Sequence, residues 1–314
     1  MSIKHLILEP SEVRAIEYLI NGALNHLNAS NIEEHLHYLS VLSCGLPQRL
    51  RKFVKEFCNT IDDATRLCLI SNFKFNTDIP TPLHLDSNTL SLSEDITVCL
   101  VASLLGEVFG WKEEQGGRVI HNVAPLKHHE SLQESTGSLQ TIHWHTEEAF
   151  HNLSSDYLAI ACIKNPDQVA TTYCSINSLD LSDPIFDVLF EPRFIFKKVD
   201  SHKGCGNKKF NKSILYGSRR KPFIRIDHYF MDTIDSLAQA ALNKLIEYID
   251  NSLDKVILKP GDILLLDNAL CVHGRDNFKA NYDGNDRWLK RINITRDLYK
   301  SCNRDDDKCS RILR

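Results

Sequence analysis

No two cysteines in this sequence stand in a C-x-x-C pair. The ten cysteines fall at irregular intervals (Cys44, Cys58, Cys68, Cys99, Cys162, Cys174, Cys205, Cys271, Cys302 and Cys309), which argues against a disulfide framework and against a zinc knuckle. Most are expected to be small buried hydrophobes. An excess of positive charge is missing as well. With 37 Lys and Arg against 41 Asp and Glu the formal net charge is -4, so a polyanion meets no basic field and nucleic-acid binding is not expected. Long apolar runs are also lacking. In the opening stretch MSIKHLILEPSEVRAIEYL charges interrupt every apolar segment, leaving neither a signal-peptide core nor a membrane span. No repeat or low-complexity segment breaks the chain. These absences point to a cytoplasmic protein whose partner is a small molecule.

What is present is ordinary globular material: 314 residues, 42% hydrophobic and 25% charged, read as a single domain over 1–314. Residues 1–112 form a helical front with the first strands. Pro10 and Ser11 open an amphipathic helix through Ile16, Leu19, Ile20, Ala23 and Leu24, and a second helix runs from Ile32 to Cys58 with a break at Gly45-Leu46-Pro47. Thr65 to Phe73 is strand-like, and Glu94 to Phe109 reads as a further helix ending at Gly110-Trp111. Short strands dominate residues 113–300, among them Leu139 to Thr146, Tyr157 to Ile163, Ala170 to Ile176, Asp262 to Leu266 and Trp288 to Thr295, with one helical insert near 233–253. Residues 301–314, containing Asp305-Asp306-Asp307, read as a solvated tail. A helical front, many short strands and one inserted helix predict a mainly β fold with bracing helices, a double-sheet jelly roll.

Two segments carry the chemistry. If Leu139 to Glu147 is a strand, Thr141, His143, His145 and Glu147 share a face. That gives two possible ligand pairs, the His-x-Glu of His145 and Glu147 or the His-x-His of His143 and His145. A third ligand fits at His273, beyond the turn Lys259-Pro260-Gly261-Asp262, the apolar strand Ile263 to Leu266 and the turn at Asp267-Asn268. Two imidazoles and one carboxylate on one face of a metal leave open positions, the arrangement of non-haem Fe(II) oxygenases. Fourteen residues after His273 stands Arg287, which shares a strand face with Leu289, Arg291, Asn293 and Thr295. Either this is a half-exposed strand with solvated arginines, or Arg287 and Arg291 point into the mouth of the roll, where a guanidinium binds a carboxylate by two parallel hydrogen bonds. Beside Fe(II), the second arrangement suits 2-oxoglutarate.

The run Trp144-His145-Thr146-Glu147-Glu148-Ala149-Phe150-His151, then Asp156-Tyr157-Leu158, Asn165-Pro166-Asp167, His273-Gly274-Arg275, Tyr282-Asp283-Gly284 and Asp286-Arg287-Trp288-Leu289, resembles the clavaminate synthase-like branch of the Fe(II)/2-oxoglutarate oxygenases. The likeness is to its free amino acid hydroxylases and spans residues 90 to 300. It implies a double-stranded β-helix, with His145, Glu147 and His273 as iron ligands and Arg287, with Thr172 as a weaker candidate, on 2-oxoglutarate. It further implies that Gln115, Ser135 and Arg291 face the substrate. Arg291 would take the α-carboxylate, Gln115 and Glu147 the α-amine. In Arg225-Ile226-Asp227-His228-Tyr229 the resemblance places side-chain recognition on Asp227. Arginine hydroxylases of this type carry a second acid where Tyr229 stands, which widens the expectation to lysine, another basic amino acid or a smaller polar one.

The resulting expectation is O2-dependent hydroxylation of a free basic L-amino acid at its β (C3) carbon, with release of succinate and CO2. Desaturation or ring closure would use the same ligands. A zinc hydrolase built on His143, His145 and His273, or a jelly-roll binding module without turnover, are the rivals from other classes. The polar segment Leu126 to Ser138 is a candidate lid.

Overall fold

The structure is a computed structural model that describes residues 3–27, 32–85, 92–151, 153–197, 210–301 and 311–313. Its frame is a pair of facing sheets. The major sheet runs in the order Lys4–Ile7, Leu67–Ser71, Ile263–Asp267, Tyr157–Lys164, Trp288–Thr295, Glu107–Trp111 and Ile312–Leu313, with Ile120–Val123 also paired to Trp288–Thr295. The minor sheet runs Asp254–Val256, Thr171–Ser175, Cys271–Arg275 and Ile142–His145. Between them lies a core that includes Leu158, Ile160, Tyr173, Leu264, Leu266, Cys271 and Leu289.

Each sheet is covered on its other side. Strand alternation sends Ala159, Ala161, Ile263, Leu265, Ile292 and Ile294 of the major sheet outward, where they bury against the helices Pro10–His26, Leu36–Ser43, Gln48–Asn59 and Leu92–Ala102. Across the minor sheet, Trp144, Cys174 and Val272 pack on Ala238, Ala241, Leu242, Leu245 and Ile249 of the insert helix Ser236–Asp250. The Trp144 indole N–H donates to Asp250 at 2.7 Å and fixes that helix in place. Helix, sheet, sheet and helix thus stack as the expected jelly roll with bracing helices. Among the described residues no helix is long and apolar enough to cross a membrane.

Two expectations change. The helix expected over Glu94 to Phe109 ends at Ala102, and Glu107–Trp111 is a strand paired with Trp288–Thr295. Gly106 makes that join possible, because a Cβ there would stand 2.3 Å from the Thr295 carbonyl oxygen. Instead of trailing away, Ile312 and Leu313 pair in parallel with Gly110 and Trp111. The aspartates 305–307 lie outside the described residues. The break at Gly45-Leu46-Pro47 stands as expected, between Leu36–Ser43 and Gln48–Asn59.

The predicted turn at Lys259 to Asp262 is a tight point of the frame. Gly261 has φ +87°, and a Cβ on it would meet the Phe73 carbonyl oxygen at 2.4 Å. Gly261→Ala should therefore lose about 1–3 kcal/mol from backbone strain alone. At about 2–4 °C per kcal/mol for larger domains, thermal denaturation followed by circular dichroism should register the drop clearly. An unchanged melting temperature would mean that the turn relaxes freely.

Candidate active site

Two neighbouring strands of the minor sheet bring the histidines together. Ile142–His145 and Cys271–Arg275 are antiparallel, with His145 directly opposite His273, and the two ring centroids lie 4.7 Å apart. The His145 Nδ1 lies 2.9 Å from the carbonyl of His143, so that nitrogen carries the proton and Nε2 keeps its lone pair. Glu147 stands beyond the strand end. Its Oε2 is 3.9 Å from His145 Nε2 and 3.6 Å from His273 Nε2, and ligand atoms of all three residues fall within 4.8 Å of one another.

That set fits a metal ion. The Glu147 Oε2 is buried without a hydrogen-bond partner, and two imidazoles and a carboxylate converge on one side of a cavity of about 340 Å³. Burial opposes ionisation of Glu147. Arg291 and the two histidines outweigh it, holding its carboxyl down at about 2. His143 is not part of the cluster. Its ring is stacked on Tyr229 at 5.4 Å and 14° and sits edge-on to His228, at the rim of the cavity. The His-x-His alternative, and with it a three-histidine zinc site, is therefore not assembled.

Arg287, Leu289 and Arg291 border the cavity, while Lys290 on the opposite face is buried against Asp95 of the helix Leu92–Ala102 at 2.5 Å. Arg287 is 4% exposed, and among the described residues no carboxylate pairs with it. Its Nε has no partner, and burial lowers its pKa to about 10. Arg291 differs. One Nη donates to Glu147 Oε1 and the other faces Glu114 at 3.1 Å and His121 at 3.0 Å, while its Nε is buried and unpartnered.

The remaining expected residues sort as follows. Gln115 lines the cavity with its amide tied to the main chain of Asn122 by two bonds of 3.0 Å. Ser135 lines it from the segment 126–138. Asp227 forms a backbone β-bridge with His145 and faces the same space, where burial, partly offset by His145 and by nearby backbone N–H groups, raises its pKa. Thr172 is corrected. Thr171, cross-strand from Arg275, borders the cavity, whereas Thr172 pairs with Gly274 on the alternate face.

Several participants were not visible as such in the sequence. Arg275 donates to the carbonyls of Gly137 at 2.5 Å and Gln140 at 2.8 Å, pinning the segment 126–138 over the cavity. His121 and Glu114 support Arg291. Burial, with Glu114 and Glu147 nearby, pushes the Glu148 carboxyl well above its usual range, and its Oε1 is held by Asn293 at 3.0 Å. Each of these contacts joins residues distant in sequence, and no local pattern announces them.

Comparison with known proteins places the geometry. The profile described as "Taurine catabolism dioxygenase TauD, TfdA family" matches residues 188–293. The chain is 36% identical over 286 residues to the L-ornithine/L-arginine 3-hydroxylase of Catenulispora acidiphila, which spans 81% of this chain and 83% of that protein. It is 33% identical to the enduracididine beta-hydroxylase of Streptomyces hygroscopicus, over 94% of this chain and 95% of the relative. Among solved structures, the non-heme iron oxygenase OrfP in complex with Fe, succinate and (3S)-hydroxy-L-Arg superposes with a TM-score of 0.90 at 33% identity, covering 98% of this chain and 99% of OrfP.

Proposed function

The chain belongs to the clavaminate synthase-like Fe(II)/2-oxoglutarate-dependent oxygenases, in the branch of free amino acid hydroxylases, and from that premise we propose that it hydroxylates a basic L-amino acid of the arginine and ornithine type at C3. As a member of that family it is an enzyme that uses Fe(II), 2-oxoglutarate and O2 and releases succinate and CO2. Residues 1–314 are taken to act as one oxygenase domain. The seven described cysteines, all free, suit a reducing, cytoplasmic setting.

The observation that carries the reading is the charge layout of one cavity. Its lining holds six carboxyl residues, Glu113, Glu114, Glu134, Glu147, Glu148 and Asp227, against three arginines, Arg275, Arg287 and Arg291, and even with Glu148 left out because burial raises its pKa well above the usual range, acids outnumber arginines five to three. Such a lining favours a substrate whose far end is cationic, provided its carboxylate meets an arginine. His145, Glu147 and His273 would hold the iron, which when bound supplies the oxidising chemistry that cleaves the C–H bond. Arg287 would receive the distal carboxylate of 2-oxoglutarate through paired hydrogen bonds. Arg291, with an unpartnered Nε, would take the α-carboxylate of the amino acid, and Gln115 and Glu147 its amine. Asp227 would receive the side-chain cation. Ser135 and the segment pinned by Arg275 would close the cavity and exclude water.

Screening succinate formation against the twenty free amino acids and ornithine, then locating the replaced proton by NMR, tests the substrate and the position together. Turnover only with acidic or apolar amino acids would refute the basic substrate. Within that assay, Asp227→Ala should raise KM for the basic amino acid on the order of 30-fold or more, because a desolvated charge pair loses one partner, with KM for 2-oxoglutarate nearly unchanged. Equal effects on both would remove Asp227 from side-chain recognition.

A further inference from the structure

We infer that Asn268 is a positioning residue of the metal centre, one that holds the main chain of Glu147 and ties it to the turn leading into the strand that carries His273. This rests on the reading of Glu147 and His273 as iron ligands. Glu147 lies past the end of the strand Ile142–His145, so no ladder satisfies its peptide groups, although the residue is buried. Asn268 supplies both partners from one side chain. Its Oδ1 accepts from the Glu147 N–H at 2.7 Å, and its Nδ2 donates to the Glu147 carbonyl at 3.2 Å and to the Ser155 carbonyl at 2.9 Å. The residue is 3% exposed, and all three bonds form away from solvent.

Asn268 is itself held firmly. Its N–H donates to the Asp156 carbonyl at 3.0 Å, and the preceding Asp267 is paired with the buried Arg66 at 2.5 Å. Three residues later the strand Cys271–Arg275 begins, and His273 is its third residue. One short, buried turn therefore sets where the carboxylate stands relative to the second imidazole. Thr146 fixes the chain from the other side: its N–H donates to the Ile226 carbonyl at 2.8 Å, and its hydroxyl accepts from the Ile226 N–H at 3.0 Å. Without Asn268, the peptide groups of Glu147 lose their partners and its carboxylate loses a fixed attitude. The cost should appear as metal affinity.

Asn165 provides a matched control. It makes the same three kinds of bond in another buried turn, accepting from Val169 N–H at 3.0 Å and donating to the carbonyls of Val169 at 3.1 Å and Leu258 at 3.0 Å. The full-length protein is titrated anaerobically with Co(II), read by visible absorption, alongside melting of the metal-free form. Asn268→Ala should weaken Co(II) binding about 10- to 100-fold, the usual effect of losing a group that orients a ligand. Asn165→Ala should lower the melting temperature comparably and leave Co(II) binding near wild type. Wild-type affinity in Asn268→Ala, or equal losses in the two variants, overturns the inference. If the alanine variant does not fold, Asn268→Asp keeps the acceptor but loses the two donors; about tenfold weaker binding supports the role, and wild-type affinity rejects it. Glu147→Ala separates the two levels: if it binds Co(II) as wild type does, the ligand assignment itself fails.

Discussion

His145→Ala is expected to abolish succinate release, by at least about a thousandfold, whereas His143→Ala should keep most of it. Losing about 4 kcal/mol of metal-derived transition-state stabilisation corresponds to that factor. The contrast follows from the strand pairing. His145 faces His273 across the minor sheet, and its Nδ1 is committed to the His143 carbonyl, so only Nε2 is free to bind an ion beside Glu147. His143 has its ring against Tyr229 and His228 instead. Its removal should cost about 0.5–1.5 kcal/mol of aromatic contact at the rim and alter the KM of the amino acid more than that of 2-oxoglutarate. Succinate formation measures the first effect. Steady-state KM values measure the second, and the visible charge-transfer band of the anaerobic Fe(II)–2-oxoglutarate complex checks the metal site itself, since it should vanish in His145→Ala and persist in His143→Ala. The reverse pattern would exchange the ligand assignment between His143 and His145.

The route by which Glu147 joins that pair shows how far a strand pattern can be trusted. Alternation alone placed His145 and Glu147 on one face, yet the strand stops at His145. Glu147 is brought back by the clamp of Thr146 on Ile226, by Asn268, and by a left-handed turn at Glu148 with φ +53°. Pattern and geometry agree on the residues and differ on the cause. Asp267-Asn268 was legible only as a turn, because the partner of the asparagine side chain lies 121 positions away. Thr172 shows the other failure. A shift of one residue along a strand reverses the face, and only the register with Arg275 tells Thr171 from Thr172. Helix periodicity misled between Leu104 and Phe109 for a related reason: an apolar run buried on both sides reads as helix or strand until its neighbour is known. The double sheet itself was visible because its strands are separated by turn residues and its bracing helices carry clear apolar stripes.

Arg287→Met should move two observables in opposite directions. A guanidinium buried without an acid costs several kcal/mol that an apolar side chain of similar length avoids, so the metal- and ligand-free protein should melt no lower than wild type, and higher if the methionine packs well. Affinity for 2-oxoglutarate should collapse. Removing one partner of a buried charged pair costs about 2–4 kcal/mol, which corresponds to a KM increase on the order of 30- to 700-fold. Burial lowers the Arg287 pKa only to about 10, so the cation persists throughout the neutral range and the loss should be independent of pH between roughly 6 and 8. Arg275 sharpens the argument. Burial and the charge of Arg287 pull its pKa down to about 9, and its donors go to carbonyls, so two buried arginines border one cavity and, among the described residues, no carboxylate pairs with either. A dicarboxylate relieves that repulsion and should raise the wild-type melting temperature, an effect Arg287→Met should lack. Differential scanning fluorimetry with and without 2-oxoglutarate, beside steady-state succinate kinetics, reads both halves. A variant that melts lower and keeps wild-type KM for 2-oxoglutarate would make Arg287 a structural strut and leave the co-substrate without its anchor.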